Sequence, residues 1–274
     1  MAPQEKNEYV LGTGDDELAR LGFQHRVWGE QAFAIWERAG FAPGQTILDV
    51  GCGPGFGTLD LSRIVTASGR IIAVDASQRY LDHLQTQIKA QSINNVQTLL
   101  SDVTALDLPP NSIDGAYARW VLCFLRDPGA VIAAVSRALC PGGVFAVQDY
   151  FNYQAFTLAP RSEIFEHVIE AVMKRWRLTG GDPDLAGRLP ELFSKCGMAV
   201  REIRGIARVA RPGSVLWHWP TTFFRNFIPT LVEGGLLTTD EHNAFDAEWS
   251  RRSADPNTFL CTPPMYDVIA VKPK

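Results

Sequence analysis

Short apolar runs and amphipathic segments alternate five times between residues 47 and 151, and this alternation constrains the fold more than any other feature of the sequence. The apolar runs, interpreted as strands, are ILDV (47–50), RIIAVDAS (70–77), VQTLLSDV (96–103), GAYARWVLCFL (115–125) and VFAVQDYF (144–151). The segments between them place apolar residues at helical spacing, as with Leu61, Ile64 and Val65. Such alternation predicts an α/β fold with a parallel sheet and helices on both of its faces.

A glycine-rich stretch, DVGCGPGFG, occupies residues 49–57 at the end of the first predicted strand. In parallel sheets of this kind, ligands bind beyond the carboxyl ends of the strands. A dinucleotide fingerprint needs a small residue at its last position, where this chain has Phe56, and a Walker phosphate loop needs a lysine that Gly57-Thr58 lacks. The stretch therefore disfavours a pyrophosphate ligand, and an NAD-dependent oxidoreductase stays open only as an alternative.

Carboxylates stand at or near the ends of three successive predicted strands. Asp49, two residues before the glycines, would repel a pyrophosphate but suits a ligand with an ammonium or sulfonium group. Asp75 is placed to accept hydrogen bonds from two ribose hydroxyls. Asp102 is placed to accept a hydrogen bond from the amino group of an adenine, and the N–H of Val103 is placed to donate one to a ring nitrogen. The three carboxylates together predict a site for a cationic nucleoside.

Charge and composition narrow the class of partner. The chain has 26 Lys and Arg against 30 Asp and Glu, a net charge of −4, which disfavours nucleic acid because such binding relies on cationic side chains. It contains no run of about 18 uncharged apolar residues, so no membrane span is expected. The five cysteines lack metal-binding spacing, and the polar N-terminus lacks the apolar core of a secretory signal. We expect a cytoplasmic protein without a metal, acting on a small molecule; the oligomeric state stays open.

Four segments resemble the successive signature segments of class I S-adenosylmethionine-dependent methyltransferases: ILDVGCGPGFGT, AVDAS, LLSDVTALDLPPNSID and ALCPGGVFAV. The resemblance covers roughly residues 40–150 and is to the small-molecule group that includes ubiquinone-type and sterol-type enzymes. The opening stretch YVLGTGDDELARLGFQHRVW resembles the leader of a bacterial natural-product subgroup. The resemblance implies a Rossmann-like, doubly wound, mostly parallel seven-stranded sheet with helical cap insertions, and S-adenosylmethionine as cofactor.

The expected organisation is a single methyltransferase domain over residues 1–274. Residues 1–40 form a helical leader or lid, and residues 41–152 form the cofactor-binding core. Residues 153–182 and 213–256 form helical insertions that cap the substrate.

The resemblance also implies roles for individual residues. It places Asp49, Gly51, Gly53 and Gly55 at the methionine end of the cofactor, Asp75 and Ala76 at the ribose, and Asp102 and Val103 at the adenine. Arg119 lies where the backbone usually accepts the methionine ammonium, but its side chain departs from the small or polar residue often found there. Two alternatives stay open for that side chain: it pairs with a carboxylate of the cofactor or substrate, or it points into solvent. Tyr9 and Gln24 are expected to close the leader over the cofactor, with packing as the alternative.

Aromatic residues cluster beyond the predicted strands and in the second cap insertion, where they can line an apolar pocket and attract a sulfonium. Packing between cap and sheet is the alternative for each of them. The predicted substrate-lining residues are Trp120, Tyr150, Phe151, Tyr153, His167, Trp217 and His218. No catalytic base is assigned, because an unprotonated amine acceptor needs none whereas a phenol benefits from one.

The sequence therefore predicts methyl transfer from S-adenosylmethionine to a small, largely apolar acceptor, aromatic or isoprenoid-like, by in-line displacement. A catalytically silent S-adenosylmethionine-binding partner subunit and an NAD-dependent oxidoreductase are the alternatives from other classes. Among enzymes, a macromolecular acceptor is the nearest alternative. The acceptor and the methylated atom, O, N or C, stay open.

Overall fold

The computed structural model of the protein describes residues 14–274. Its strands are β1 (Thr46–Val50), β2 (Arg70–Asp75), β3 (Val96–Leu100), β4 (Ile113–Arg119), β5 (Leu139–Tyr150), β6 (Thr157–Ala159), β7 (Ala199–Ile206), β8 (Val209–Ala210), β9 (Phe259–Cys261) and β10 (Met265–Val271). Its α-helices are α1 (Asp15–Ala39), α2 (Phe56–Val65), α3 (Gln78–Ala90), α4 (Pro128–Ala138), α5 (Glu163–Leu178), α6 (Leu189–Lys195), α7 (Val215–Glu233) and α8 (Thr239–Ala254).

Seven strands form the main sheet, in the order β3-β2-β1-β4-β5-β10-β7. The first five of these are parallel neighbours, whereas β10 runs antiparallel to β5 and β7. Val50 is in register with Val74 of β2 and Ala118 of β4, so the carboxyl ends of these strands meet at one edge. The Rossmann-like, mostly parallel seven-stranded sheet predicted from the sequence is confirmed.

Polar caps start the helices that follow β2 and β4. The Ser77 hydroxyl accepts the N–H of Tyr80 at the start of α3, at 3.3 Å. Asp127 Oδ1 accepts the N–H of Ala130 at 3.0 Å, and Pro128 at the first position of α4 has a φ suited to a helix start. These caps turn the chain back along the sheet just beyond the edge where the strands end.

Apolar side chains are buried on both faces of the sheet, which is the main source of its stability. On one face, Ile35 of α1 and Leu61 of α2 belong to the same buried cluster as Ile47 of β1. On the other face, the ring of Phe193 from α6 meets the ring of Phe145 from β5 edge-on, with 5.6 Å between their centroids. The sheet is therefore a covered central layer, as a parallel sheet requires.

Helix α1, in the predicted leader, connects the sheet to the predicted cap. Near its C-terminal end, Trp36 packs edge-on against Tyr117 of β4 at 5.2 Å. Two turns earlier, Trp28 packs edge-on against Trp219 of α7 at 5.1 Å. Helix α1 thus contacts β4, one of the strands that end near the glycine stretch, and also α7, which lies in the second predicted cap insertion.

Two segments differ from one continuous strand. The segment 199–210 divides into β7 in the main sheet and β8 in a separate three-stranded sheet of order β6-β9-β8. The segment 115–125, predicted as a strand or the end of one, leaves the sheet after Arg119, where Trp120 adopts a φ of +52°. A left-handed residue of this kind normally calls for glycine, so the sequence carried no signal for the break.

Within residues 14–274, no helix combines the length and the apolar character needed to cross a membrane.

Candidate active site

The stretch 51–55 forms a tight turn between β1 and α2. Gly51, Gly53 and Gly55 have φ values of +63°, +54° and +85°, a region that residues with a Cβ rarely adopt. A Cβ on Gly51 would lie 2.6 Å from Val121, and one on Gly55 would lie 2.3 Å from Leu84. Glycine at these two positions is therefore required by close packing as well as by backbone conformation. We call this turn, with the strand ends around it, the glycine edge.

Asp75 at the end of β2 holds the glycine turn in place. Its Oδ2 accepts the N–H of Gly53 and its Oδ1 accepts the N–H of Ser77, both at 2.8 Å. Burial raises the pKa of this carboxyl, and the backbone N–H groups oppose that rise by stabilising the charged form. Ala76, the adjoining residue, belongs to the same corner. The predicted ribose-binding carboxylate thus also shapes the turn.

Asp49 is buried beneath the turn rather than exposed on it, with 4% of its surface accessible. The Thr58 hydroxyl of α2 donates to its Oδ2 at 2.6 Å. Burial raises the pKa of Asp49 to about 6, while the Thr58 hydrogen bond and the positive charge of Arg119 lower it. Asp49 therefore joins β1 to the start of α2 and contributes charge at short range.

Asp102 follows β3 and is exposed, in contrast to the other two carboxylates. Its Oδ1 accepts both the N–H and the hydroxyl of Thr104, at 2.8 and 2.7 Å, and caps the short 3-10 turn Val103–Ala105. Val103 itself is 7% exposed. The predicted adenine-binding pair therefore lies at the same sheet edge, beyond the strand next to β2.

Arg119, the last residue of β4, lies in a network that joins three elements. Its Nη2 is 2.9 Å from His25 Nδ1, and His25 Nε2 is 2.9 Å from Asp60 Oδ2. An arginine can only donate, so Nδ1 of His25 accepts and its Nε2–H donates to Asp60 of α2. Arg63 also donates to Asp60, at 2.7 Å. The partners of His25 are far along the chain, so the sequence carried no local signal for its role.

Gln24, predicted to close the leader over the cofactor, connects α1 to the cap. Its Oε1 accepts from Arg20 Nη1 at 2.9 Å and from the indole N–H of Trp219 at 3.0 Å. Arg20 is held in turn by both carboxylate oxygens of Glu17, at 2.7 and 2.6 Å, in a buried ion pair. Tyr9, the other residue predicted to close the leader, lies outside the described residues.

A cavity of about 60 Å³ lies between α1, the ends of β4 and β5, and helices α5 and α7. Its walls are mostly aromatic rings, with the Arg20 guanidinium as a charged exception. We call it the aromatic cavity. It is lined by Arg20, Gln24, Trp120, Phe124, Tyr150, Tyr153, Phe156, Trp176, Trp219, Pro220 and Phe223.

Three predicted substrate-lining residues, Trp120, Tyr150 and Tyr153, lie on the wall of this cavity. The rings of Trp120 and Tyr150 are stacked at 5.8 Å, and those of Tyr150 and Tyr153 meet edge-on at 5.1 Å. Burial raises the pKa of both phenols well above their ordinary values, so both stay protonated near neutral pH. The phenols can therefore donate hydrogen bonds but are poor bases.

The other four predicted substrate-lining residues are not among those that line this cavity. Phe151 is 41% exposed and packs on Tyr266, and Trp217 stacks on Trp249 of α8 at 4.7 Å. Trp217 and Trp219 are two positions apart on α7, about 200° around the helix, so only one of them can face the cavity.

His167 and His218 lie on the exposed surfaces of α5 and α7. His167 pairs there with Glu241 of α8, at 3.0 Å. Neither histidine is among the residues that line the aromatic cavity. Arg20, Phe124 and Trp176 line it instead. For Trp176 a signal existed, since it continues the four-residue spacing of Val168 and Val172 on the apolar face of α5.

Comparison with known proteins adds independent information about the fold and the glycine edge. Residues 48–147 match a family model described as a methyltransferase domain. The match runs from β1 through most of β5 and contains Asp49, the glycine turn, Asp75, Asp102 and Arg119. Residues 48–147 are therefore similar to a methyltransferase domain.

Curated relatives of this methyltransferase domain agree with the family match. Demethylmenaquinone methyltransferase of Symbiobacterium thermophilum is 29% identical over 150 residues, which are 53% of this chain and 60% of that protein. 2-Phytyl-1,4-naphtoquinone methyltransferase of Synechocystis is 28% identical over 176 residues, 60% of this chain and 69% of that protein. The chain thus spans only about 60% of the length of the first of these two relatives.

Among solved structures, the [4+2]-cyclase SpnF is similar in fold, with a TM-score of 0.56 and 20% identity over 89% of this chain and 81% of that one. At this level of identity the likeness concerns the fold alone. Its name also indicates that the fold of a methyltransferase domain can carry other chemistry, so activity has to be argued from the site.

Proposed function

We propose that the protein transfers a methyl group from S-adenosylmethionine to a small, largely apolar acceptor. One observation carries the proposal: Arg119 and Trp120 are consecutive residues, the first at the glycine edge and the second on the wall of the aromatic cavity. A ligand held at the glycine edge would therefore be a neighbour of a ligand in the cavity. Transfer between two bound molecules requires this proximity.

The residues at the glycine edge fit the proposed cofactor. Asp75 offers carboxylate lone pairs beyond the two backbone bonds it accepts, which suits ribose hydroxyls. Asp102 and the adjoining Val103 N–H suit an adenine ring. Nη1 of Arg119 is buried and has no hydrogen-bond partner among residues 14–274, so the site offers a cationic donor to an anionic group. The carboxylates of Asp49, Asp75 and Asp102 favour a cationic nucleoside over a dinucleotide, whose pyrophosphate they would repel.

The cofactor, when bound, supplies a methyl group on a positively charged sulfur that is already a good leaving group. The chain's own contribution is to orient the acceptor and exclude water, which can supply about 7–11 kcal/mol of the barrier for well-placed reactants. Trp120, Tyr150 and Tyr153 form the apolar wall nearest the glycine edge. Since the two phenols stay protonated, neither of them can take a proton from the acceptor.

The acceptor class follows from the walls of the aromatic cavity. Stacked and edge-on rings favour a flat or isoprenoid-like molecule over a charged one. The names of the two quinone methyltransferase relatives support the same class. The cavity of about 60 Å³ is well below the roughly 300 Å³ that a typical small-molecule site encloses, so its walls have to move apart when an acceptor enters, and we place this movement between α1 and α7.

A cytoplasmic location is proposed on two grounds. All five cysteines are unpaired, four of them at least partly accessible, as in proteins of reducing compartments. The described residues also hold no span for a membrane.

Calorimetry with S-adenosylmethionine, S-adenosylhomocysteine and NAD tests the cofactor, and labelled methyl transfer to a panel of naphthoquinols, phenols, amines and isoprenoid alcohols tests the reaction. We expect micromolar binding of the first two ligands, no binding of NAD, and label in an apolar acceptor. Binding of NAD alone would contradict the proposal. Cofactor binding with no transfer to any panel member or to a metabolite extract, together with stable capture of a protein partner, would favour a silent partner subunit.

A further inference from the structure

We infer that Arg119 binds the carboxylate of the cofactor's methionine moiety through Nη1, and that His25 of α1 positions the guanidinium for this contact. The inference rests on the proposed function, because it assumes that the glycine edge binds S-adenosylmethionine. It goes further in assigning the amino-acid end of the cofactor to one cation and in making α1 part of that subsite.

The orientation of the guanidinium is fixed from one side. Nη2 donates to Nδ1 of His25 at 2.9 Å, and the guanidinium carbon lies 5.1 Å from the centroid of the Trp120 ring. His25 is itself fixed by donating to Asp60, so its Nδ1 is available as an acceptor. The network therefore holds Arg119 in one direction without neutralising it through a carboxylate.

The other terminal nitrogen has no use within the protein. Nη1 of Arg119 is buried and donates to no partner among residues 14–274. Asp49, the carboxylate whose pKa the Arg119 charge lowers, accepts instead from Thr58. Burying a charged donor without a hydrogen-bond partner costs more free energy than burying a neutral one in the same way. A donor of this kind at a ligand site therefore indicates that the ligand supplies the partner. An anionic ligand group is the partner that removes this cost.

Position decides which ligand supplies the anion. Arg119 ends β4 beside the end of β1, where the glycine turn begins, and it is not among the residues that line the aromatic cavity. An acceptor in the cavity meets Trp120, whereas a nucleoside at Asp75 and Asp102 extends its remaining part along the glycine turn toward Arg119. The carboxylate of an amino-acid group is therefore the expected partner, and an arginine fork matches its two oxygens.

Two ligands that differ in the amino-acid group test the inference by calorimetry. S-Adenosylhomocysteine carries the carboxylate, and 5′-methylthioadenosine keeps the nucleoside and the sulfur but lacks the amino-acid group. We expect Arg119→Gln to weaken S-adenosylhomocysteine binding about 10- to 100-fold, the range for a charge-assisted hydrogen bond, and to change methylthioadenosine binding less than about twofold. Unchanged methylthioadenosine binding also serves as the control for folding.

The positioning role of His25 is tested on the same ligand pair. His25→Phe removes the acceptor for Nη2 and is expected to weaken S-adenosylhomocysteine binding about 3- to 10-fold, with little further loss when combined with Arg119→Gln. His25→Asn keeps an acceptor and is expected to retain most of the affinity. Arg63→Gln is the matched control, since Arg63 contacts the far side of Asp60 and is 62% exposed; it is expected to bind both ligands normally.

The outcomes separate this inference from the proposed function. If the wild-type protein binds neither ligand, the proposed function is wrong and the inference falls with it. A second set of outcomes is that the wild type binds S-adenosylhomocysteine, while Arg119→Gln weakens the binding of both ligands equally or only raises the KM for an acceptor. In either case the carboxylate assignment is wrong and the proposed function stands. A selective loss of S-adenosylhomocysteine supports both.

Discussion

The glycine edge and the aromatic cavity adjoin at Arg119 and Trp120 but are built differently. At the edge, backbone groups and short acidic side chains dominate, as in the Asp75 carboxylate that accepts the N–H of Gly53. In the cavity, large side chains dominate, and they come from α1, the strand ends, α5 and α7. The comparison teaches that sheet topology fixes the first site, whereas the packing of separate helices fixes the second. The second can therefore change its ligand without changing the first.

Two fully buried carboxylates with raised pKa values, Asp49 at the glycine edge and Asp149 behind the cavity wall, provide the largest expected effects. Asp149 accepts the N–H groups of Cys123 and Tyr150 at 3.1 Å, behind the cavity wall, and burial raises its pKa from 3.8 to about 7. Burial raises the pKa of Asp49 to about 6. Because a folded-state pKa above the unfolded value means that the folded state holds the proton more tightly, stability falls as pH rises between the two values.

We therefore expect the free energy of unfolding to fall by about 4 kcal/mol through Asp149 between pH 4 and 7, and by about 3 kcal/mol through Asp49 between pH 4 and 6. Urea unfolding at a series of pH values measures this. Asp149→Asn should flatten the slope between pH 6 and 7 relative to wild type, and Asp49→Asn should flatten it only below pH 6. The exposed Asp107→Asn serves as control. A slope between pH 6 and 7 that Asp149→Asn leaves unchanged would contradict the assignment.

The glycine turn gives the next effect. Gly55→Ala combines a strained φ with a Cβ 2.3 Å from the buried Leu84, so we expect a loss of about 3 kcal/mol in the free energy of unfolding. Gly53→Ala is the matched variant: its φ is also positive, but no atom lies within 4 Å of its Cβ, so about 1 kcal/mol is expected. Urea unfolding compares the two. Equal losses would show that backbone strain, not packing against α3, makes glycine necessary at position 55.

How far each region could be predicted from the sequence follows from the same contrast. Asp49, Asp75 and Asp102 were found because each stands at a strand end, and strand ends of a parallel sheet meet whatever the side chains between them do. The glycine turn was found because its residues are adjacent in the chain. Local spacing was sufficient for this region.

In the cavity, local spacing was insufficient. Predicting that Trp219 rather than Trp217 faces inward requires knowing which side of α7 meets α1. His167 and His218, also predicted to line the substrate, are exposed and lie outside the cavity lining, which local spacing could not indicate. His25 could not be found at all, because Arg119 and Asp60 reach it only through tertiary packing.

At the glycine edge, Asp75 is expected to contribute more to ligand affinity than Asp102. Asp75→Asn leaves one acceptor oxygen where the turn and the proposed ribose contacts use two, so we expect about tenfold weaker binding of S-adenosylhomocysteine and of methylthioadenosine alike. Asp102→Asn, at an exposed position where one oxygen already caps the turn at Val103, is expected to lose about twofold. Calorimetry with both ligands checks the ranking. A larger loss for Asp102→Asn would move the main nucleoside contact from β2 to β3.

The smallest effect concerns the contact between α1 and α7 that closes the cavity. Trp219→Phe keeps an aromatic ring against Trp28 but removes the N–H that donates to Gln24, so we expect a loss of about 1 kcal/mol in the free energy of unfolding. Opening the cavity then becomes easier by a similar amount, and the rate of acceptor binding should rise up to about fivefold, while affinity for S-adenosylhomocysteine stays the same.

Trp217→Phe is the matched control for this contact. This variant also removes a hydrogen bond made by an indole N–H of α7, which Trp217 donates to Ser253 of α8 at 3.1 Å. The bond lies on the face of α7 that is turned toward α8. A similar loss of stability is expected, with no change in acceptor kinetics, because this face does not border the cavity. Stopped-flow binding of an acceptor found in the panel distinguishes the two variants. Identical kinetics would mean that α7 does not gate the aromatic cavity, and that acceptors enter between other elements, such as α5 and the end of β5.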